Sequence, residues 1–111
     1  MMADRQKTRE DTELFTRMVA SKQGWVLNPD TEFYSTLVEG LMMNFNRYGY
    51  FLCPCRDTEG SREADRAAIC PCVWSKLDVP EYGHCYCALY FSKEFALTGK
   101  QPTAIPDRRT S

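Results

Sequence analysis

No stretch of this chain approaches the ~20 consecutive apolar residues that a membrane-spanning helix needs, so no membrane span is expected. No secretory leader is expected either, because the N-terminus reads MMADRQKTREDTE, charged throughout. Excess charge of one sign is also lacking, with 14 Lys and Arg against 15 Asp and Glu and a formal net charge of −1. That balance offers no polyanion-binding surface and disfavours nucleic acid as a partner. Histidine occurs once, as His84, so any imidazole chemistry rests on that residue. There is no domain-sized internal repeat and no low-complexity tract. These absences leave a cytoplasmic protein of one domain spanning residues 1–111 as the expectation.

Cysteine, by contrast, is plentiful: six in 111 residues. The cytosol keeps thiols reduced, so six cysteines there read as metal ligands or redox groups rather than a static disulfide framework. A domain this small also buries a limited fraction of its surface, so a metal centre or cross-link would supply a large share of its stability.

The N-terminal half reads as helix. Residues 1–8 are polar and expected to fray. From Glu10 to about Lys22, Leu14 with Met18 and Phe15 with Val19 recur at i, i+4, which predicts an amphipathic helix stopped by Gly24. Asn28-Pro29-Asp30 reads as a helix start, with an Asn cap, Pro at the first helical position and an acid in the first turn. The helix that follows carries Phe33, Leu37, Leu41 and Phe45 on one stripe, read as core, with Tyr34, Val38 and Met42 beside it. It is expected to end at Tyr48-Gly49.

Beyond Gly49 the pattern changes. Ser61 followed by Arg62–Ala68 reads as a short capped helix, and Val73–Gly83, with Pro80, as a loop with at most one helical turn. Ala88–Phe91 is apolar, strand-like or simply buried, and Ser92–Phe95 starts a brief helix before Gly99. The fold class expected is mainly α, a small domain whose helices and loops wrap a metal centre.

All six cysteines fall in three C-x-C pairs: Cys53-Pro54-Cys55, Cys70-Pro71-Cys72 and Cys85-Tyr86-Cys87. Proline fixes its own φ and pushes the preceding residue toward extended geometry. Two cysteines so placed have Cα atoms roughly 6–7 Å apart, the upper limit for a disulfide. Each should therefore find its partner outside its own pair. A tetrahedral zinc or an iron–sulfur cluster takes four thiolates and leaves two cysteines over. Four ligands beside two spare thiols suit electron transfer into a disulfide, whereas zinc ribbons usually show C-x₂-C spacing without surplus cysteines. Which four of the six are ligands does not follow from the residues alone.

The three ordered pairs, with CPCR at 53–56, CPCV at 70–73 and IPDRR at 105–109, resemble the catalytic (beta) chain of ferredoxin–thioredoxin reductase. The resemblance covers about Tyr48 to Arg109, with the cluster and disulfide region at 48–109. It implies a [4Fe–4S] cluster on Cys53, Cys70, Cys72 and Cys85, and a redox-active disulfide between Cys55 and Cys87. It further implies ferredoxin as electron donor and thioredoxin, or a glutaredoxin-like redoxin, as substrate. A second, non-catalytic subunit accompanies some members. By the resemblance Cys87 is the cluster-side sulfur and Cys55 the exchanging nucleophile.

Two features depart from the family pattern. The gaps between pairs, residues 56–69 and 73–84, are 14 and 12 long, where the family has a longer first and a shorter second gap. Tyr86 also occupies the place of the family's histidine, leaving His84, just before Cys85, as the candidate proton donor and acceptor, with a hydrogen bond from Tyr86 as the alternative. Arg56, next to Cys55, could lower that thiol's pKa or simply lie on the surface. Trp74 is expected to shield the cluster from water, and Arg108-Arg109 to be solvated. The competing readings are a non-catalytic zinc-binding module and a simple iron–sulfur electron carrier.

Overall fold

The computed structural model describes residues 6–108. The first helix, α1 (Arg9–Gln23), starts at Thr8, whose hydroxyl accepts from the Asp11 amide while the Asp11 carboxylate accepts from the Thr8 amide. This reciprocal box satisfies two donors that a helix start leaves orphaned. The second helix, α2 (Thr31–Tyr48), closes at Gly49 as its sequence predicts. Its start differs from expectation: Asp30 is the cap, accepting from the Phe33 amide, and Pro29 lies outside the helix. Asn28 is used elsewhere, because its amide group donates to the Ala88 carbonyl, 60 residues away.

The two helices run antiparallel, with the Lys7 amide bonded to Asn46 Oδ1 at 2.7 Å and Thr16 Oγ1 to the Tyr34 hydroxyl at 2.7 Å. That orientation decides which face of α1 is buried. Thr12, Thr16, Val19 and Ala20 face inward, and the expected Leu14–Met18 pair lies on the exposed side. On α2, Leu37, Val38 and Leu41 are buried, Phe45 packs against the core, and Phe33, read as core from its spacing, is exposed.

After Gly49 the chain passes through Phe51, whose ring stacks on Phe15 (centroids 4.2 Å apart) and meets Phe45 at 4.7 Å. Phe51 thereby fastens the cysteine-bearing half to the helix pair. The Ser61-capped helix is split into α3 (Arg62–Asp65) and a 3-10 turn over Arg66–Ala68. The segment expected to be mostly loop is instead an eight-residue helix, α4 (Ser75–Tyr82), with Pro80 inside it. Proline removes one intrahelical donor. The bonds that start and end the helix survive: the Asp78 amide to the Trp74 carbonyl at 2.9 Å and the Gly83 amide to the Val79 carbonyl at 2.9 Å. Gly83 has φ 92°, and a Cβ there would lie 2.4 Å from the Phe95 ring, so both backbone and packing require glycine.

A short antiparallel pair completes the architecture: β1 (Val26–Leu27) against β2 (Tyr90–Phe91), in register Val26 to Phe91 and Leu27 to Tyr90. The last helix, α5 (Lys93–Thr98), is capped by Ser92 as expected. The described residues form one compact unit, about half helical with this small sheet, with a radius of gyration of 13.8 Å. None of their helices is long and apolar enough to cross a membrane.

Candidate redox and metal centre

The three C-x-C pairs meet in one place, each brought there by a different element. The first follows Leu52, which bridges to Ile69, and it lies against α2. Gly40, in the middle of α2, would bring a Cβ within 2.9 Å of Pro54 Cβ, so the missing side chain is what lets the Cys53–Cys55 turn rest on the helix. That turn closes through the Arg56 amide to the Cys53 carbonyl at 3.1 Å. The second pair precedes α4, where Ser75 Oγ donates to the Cys72 carbonyl at 2.6 Å; its Cys70–Pro71 peptide bond is cis. The third pair forms a turn closed by the Ala88 amide to the Cys85 carbonyl at 2.8 Å, with Ala88 at φ 62°. A non-glycine residue in that region costs about 1–3 kcal/mol. Asn28, reaching across from the other half, holds the Ala88 carbonyl at 2.9 Å.

Cys53, Cys70, Cys72, Cys85 and Cys87 are buried and share the walls of a single cavity with Tyr86 and Tyr90; Cys55 is exposed. Cys87 is the hub. Its sulfur lies 3.7 Å from that of Cys53, and its thiol is coupled electrostatically to Cys55 and Cys85 as well. Tyr90, which the sequence marked only as apolar, bonds two cysteines: its hydroxyl lies 3.3 Å from Cys70 Sγ, and its amide donates to Cys85 Sγ at 3.4 Å.

Electrostatics divides the thiols. Hydrogen bonding with Cys53, and then with Cys87, holds the Cys55 thiol down at about 4, against its partial burial and Cys85, with a smaller downward push from Arg56. Burial pushes Cys70 up and Cys72 up to about 11. Cys53 is raised to about 11, first by its bond to Cys55. A buried thiol with a raised pKa ionises only when something positive compensates it. The cavity thus gathers soft sulfur donors whose deprotonation a metal centre would favour, and the donor set fits an iron–sulfur cluster. Among the described residues, no three His, Cys, Asp or Glu side chains converge on a single-ion site.

The other candidates fall as follows. His84 is buried with its ring beside Phe95 and Phe91 (5.5 and 6.1 Å), and its Nδ1 is 2.8 Å from the Cys85 carbonyl; these contacts are with rings and backbone, not with a thiol. Arg56 is not on the surface: its side chain is buried and pairs with Asp107 at 2.5 Å. Trp74 is half-buried and stacks on that guanidinium at 4.5 Å. Arg108 is not merely solvated, because it bridges Asp78 at 2.6 Å and Glu81 at 2.5 Å and ties the C-terminal segment to α4. Arg109 lies outside the described residues.

Comparison with known proteins agrees with this geometry. The family model for the ferredoxin thioredoxin reductase catalytic beta chain matches residues 2–108, so the match extends through both N-terminal helices and beyond the cysteine region that carries the resemblance. The chain is similar to the ferredoxin-thioredoxin reductase catalytic chain, chloroplastic, of Arabidopsis thaliana, 28% identical over 92% of this chain and 68% of that one. It is also similar to the ferredoxin-thioredoxin reductase catalytic chains of Pyropia yezoensis (31% identical, 74% of this chain and 71% of that one) and Guillardia theta (29%, 80% and 85%). With its family match over nearly the whole length and five of its six cysteines lining one cavity, this chain belongs to the ferredoxin–thioredoxin reductase catalytic beta chain family of oxidoreductases.

Proposed function

We propose that the chain is a ferredoxin-dependent disulfide reductase in which Cys53, Cys70, Cys72 and Cys85 hold a [4Fe–4S] cluster and Cys55 and Cys87 form the exchanging disulfide. The observation that carries this reading is the position of Cys87. It is buried in one cavity with the proposed ligands, 3.7 Å from Cys53, and its thiol is coupled to that of the exposed Cys55. A redox pair needs one sulfur that a protein substrate can reach and one next to the electron source, and these two cysteines differ in that way. When bound, the cluster supplies single electrons from ferredoxin to a disulfide that needs two. The lack of a single-ion site among the described residues is no obstacle, since the ligands of a polynuclear cluster attach to different iron atoms.

The reduced chain's own chemistry is thiol–disulfide exchange. The Cys55 thiolate attacks one sulfur of the substrate disulfide. A bond forms between Cys55 and that sulfur, the substrate S–S bond breaks, and the departing thiolate takes a proton. Cys87 then attacks the Cys55 sulfur, restoring the Cys55–Cys87 disulfide and releasing the second substrate thiol. Two electrons have passed to the substrate. Solvent reaches Cys55 and supplies the proton. His84 enters as a packing residue, because its contacts are Phe91, Phe95 and a carbonyl.

The substrate in this reading is thioredoxin or a glutaredoxin-like redoxin, with ferredoxin as donor and a second, non-catalytic subunit as a further partner. A reducing compartment such as the cytoplasm suits thiols that must be recycled. Replacing Cys55 by Ser tests the assignment. The variant should keep the brown colour of an iron–sulfur protein and lose thioredoxin reduction; a Cys55→Ser protein that reduces thioredoxin at the wild-type rate sinks it. A colourless wild-type protein isolated without air would instead point to zinc.

A further inference from the structure

Among the described residues, Arg56 is the cation buried beside the cysteines, with its side chain 1% exposed. Its guanidinium is held between two rings, Trp74 at 4.5 Å and Tyr86 at 4.4 Å, and its Nη1 donates to Asp107 at 2.5 Å. The walls of this cage come from all three cysteine segments. Arg56 follows Cys55, Trp74 follows Cys72 by two positions, and Tyr86 sits between Cys85 and Cys87. Stacking on aromatic faces and a rigid donor fork are what arginine offers and lysine does not.

The cage leaves donors unspent. Nε and Nη2 of Arg56 are both buried and have no hydrogen-bond partner in the protein. A buried donor without an acceptor is costly, and more so on a charged group, so this arrangement calls for an acceptor. Solvent does not reach the side chain, which leaves the interior. After Asp107, the Arg56 charge interacts most with Cys72 and Cys53, which become anionic once they are bound to iron. Resting on the cluster assignment above, we propose that Arg56 is a positioning residue for the redox centre: its caged guanidinium directs its unspent N–H groups and permanent charge at anionic sulfur there, favouring the reduced state. Asp107, bonded to the opposite edge, tempers that charge.

The test is the cluster's midpoint potential in anaerobically purified holoprotein, followed by its absorbance. Arg56→Gln should move the potential to more negative values by at least a tenfold change in equilibrium constant, about 59 mV for one electron. Arg56→Lys, which keeps the charge and loses the fork, should recover part of that shift. Asp107→Asn, which leaves Arg56 in place and removes its counter-charge, should move the potential the opposite way, and it decides the matter if Arg56→Gln fails to assemble a cluster. An iron-replete Arg56→Gln protein with the wild-type potential, or an Asp107→Asn shift that is absent or negative, overturns the proposal. Wild-type protein lacking iron and sulfide would instead defeat the cluster assignment itself, so the two failures are distinguishable.

Discussion

The helix pair α1–α2 and the cysteine-bearing segment after Gly49 are held together by different means. The pair has long elements, local caps at Thr8 and Asp30, and an apolar seam through Val19, Leu37, Val38 and Leu41. The second region has elements of two to eight residues, and its shape comes from bonds between distant side chains and backbone. The buried Asp65 carboxylate gathers the Tyr50 hydroxyl, the Thr58 hydroxyl and the Glu59 amide at 2.5–2.7 Å. Asn28 fixes Ala88, Arg56 is caged by Trp74 and Tyr86, and Arg108 ties the C-terminal segment to α4. The helix pair is specified by its own caps and apolar seam; the second region collects sulfur at one point and, on the proposed cluster assignment, should gain rigidity when that sulfur is engaged.

Removing iron from the loaded protein under reducing conditions should divide the two regions most sharply. Hydrogen exchange should accelerate strongly across 50–91, while amides in the middle of α2 stay protected. Equal acceleration in both regions would show that they are one cooperative unit. Asn28→Ala should have the next largest effect, because it leaves the buried Ala88 carbonyl without its donor and costs about 1–3 kcal/mol in urea unfolding. Its activity should fall with its stability, since the third pair loses an anchor. Gly40→Ala should cost least in stability. Alanine gains about 1 kcal/mol in helix propensity, against about 1–3 kcal/mol for overpacking on Pro54. The exchange rate at Cys55 should nonetheless drop, since the displaced turn carries that residue. A stabilised and fully active Gly40→Ala protein would break the assignment of Gly40 as the seat of the first pair.

The same division explains what could be read from the residues alone. Elements with local signals were legible: α1 to its Gly24 stop, α2 to Gly49, and the Ser61 and Ser92 caps. So was the convergence of three C-x-C pairs, because so few chemistries use six cysteines in that pattern. Features settled by distant partners were not. Asn28 looked like a cap because nothing local reveals Ala88 as its partner. Phe33 and the Leu14–Met18 pair fit a helical period, but which face is buried depends on how α1 crosses α2. Pro80 argued against α4, whose end bonds lie outside the proline's reach. Gly40 and Tyr90 gave no warning of their roles, for each acts on a cysteine segment far away in sequence.

The most direct test of the account is differential alkylation of anaerobically purified protein, mapped by mass spectrometry, with the cluster absorbance followed throughout. The oxidised protein should take no label. After reduction it should take label at Cys55 first and then Cys87, with the absorbance retained. Labelling at Cys70 or Cys72 while the absorbance persists, or loss of the absorbance as Cys55 is labelled, would contradict the division of the six sulfurs.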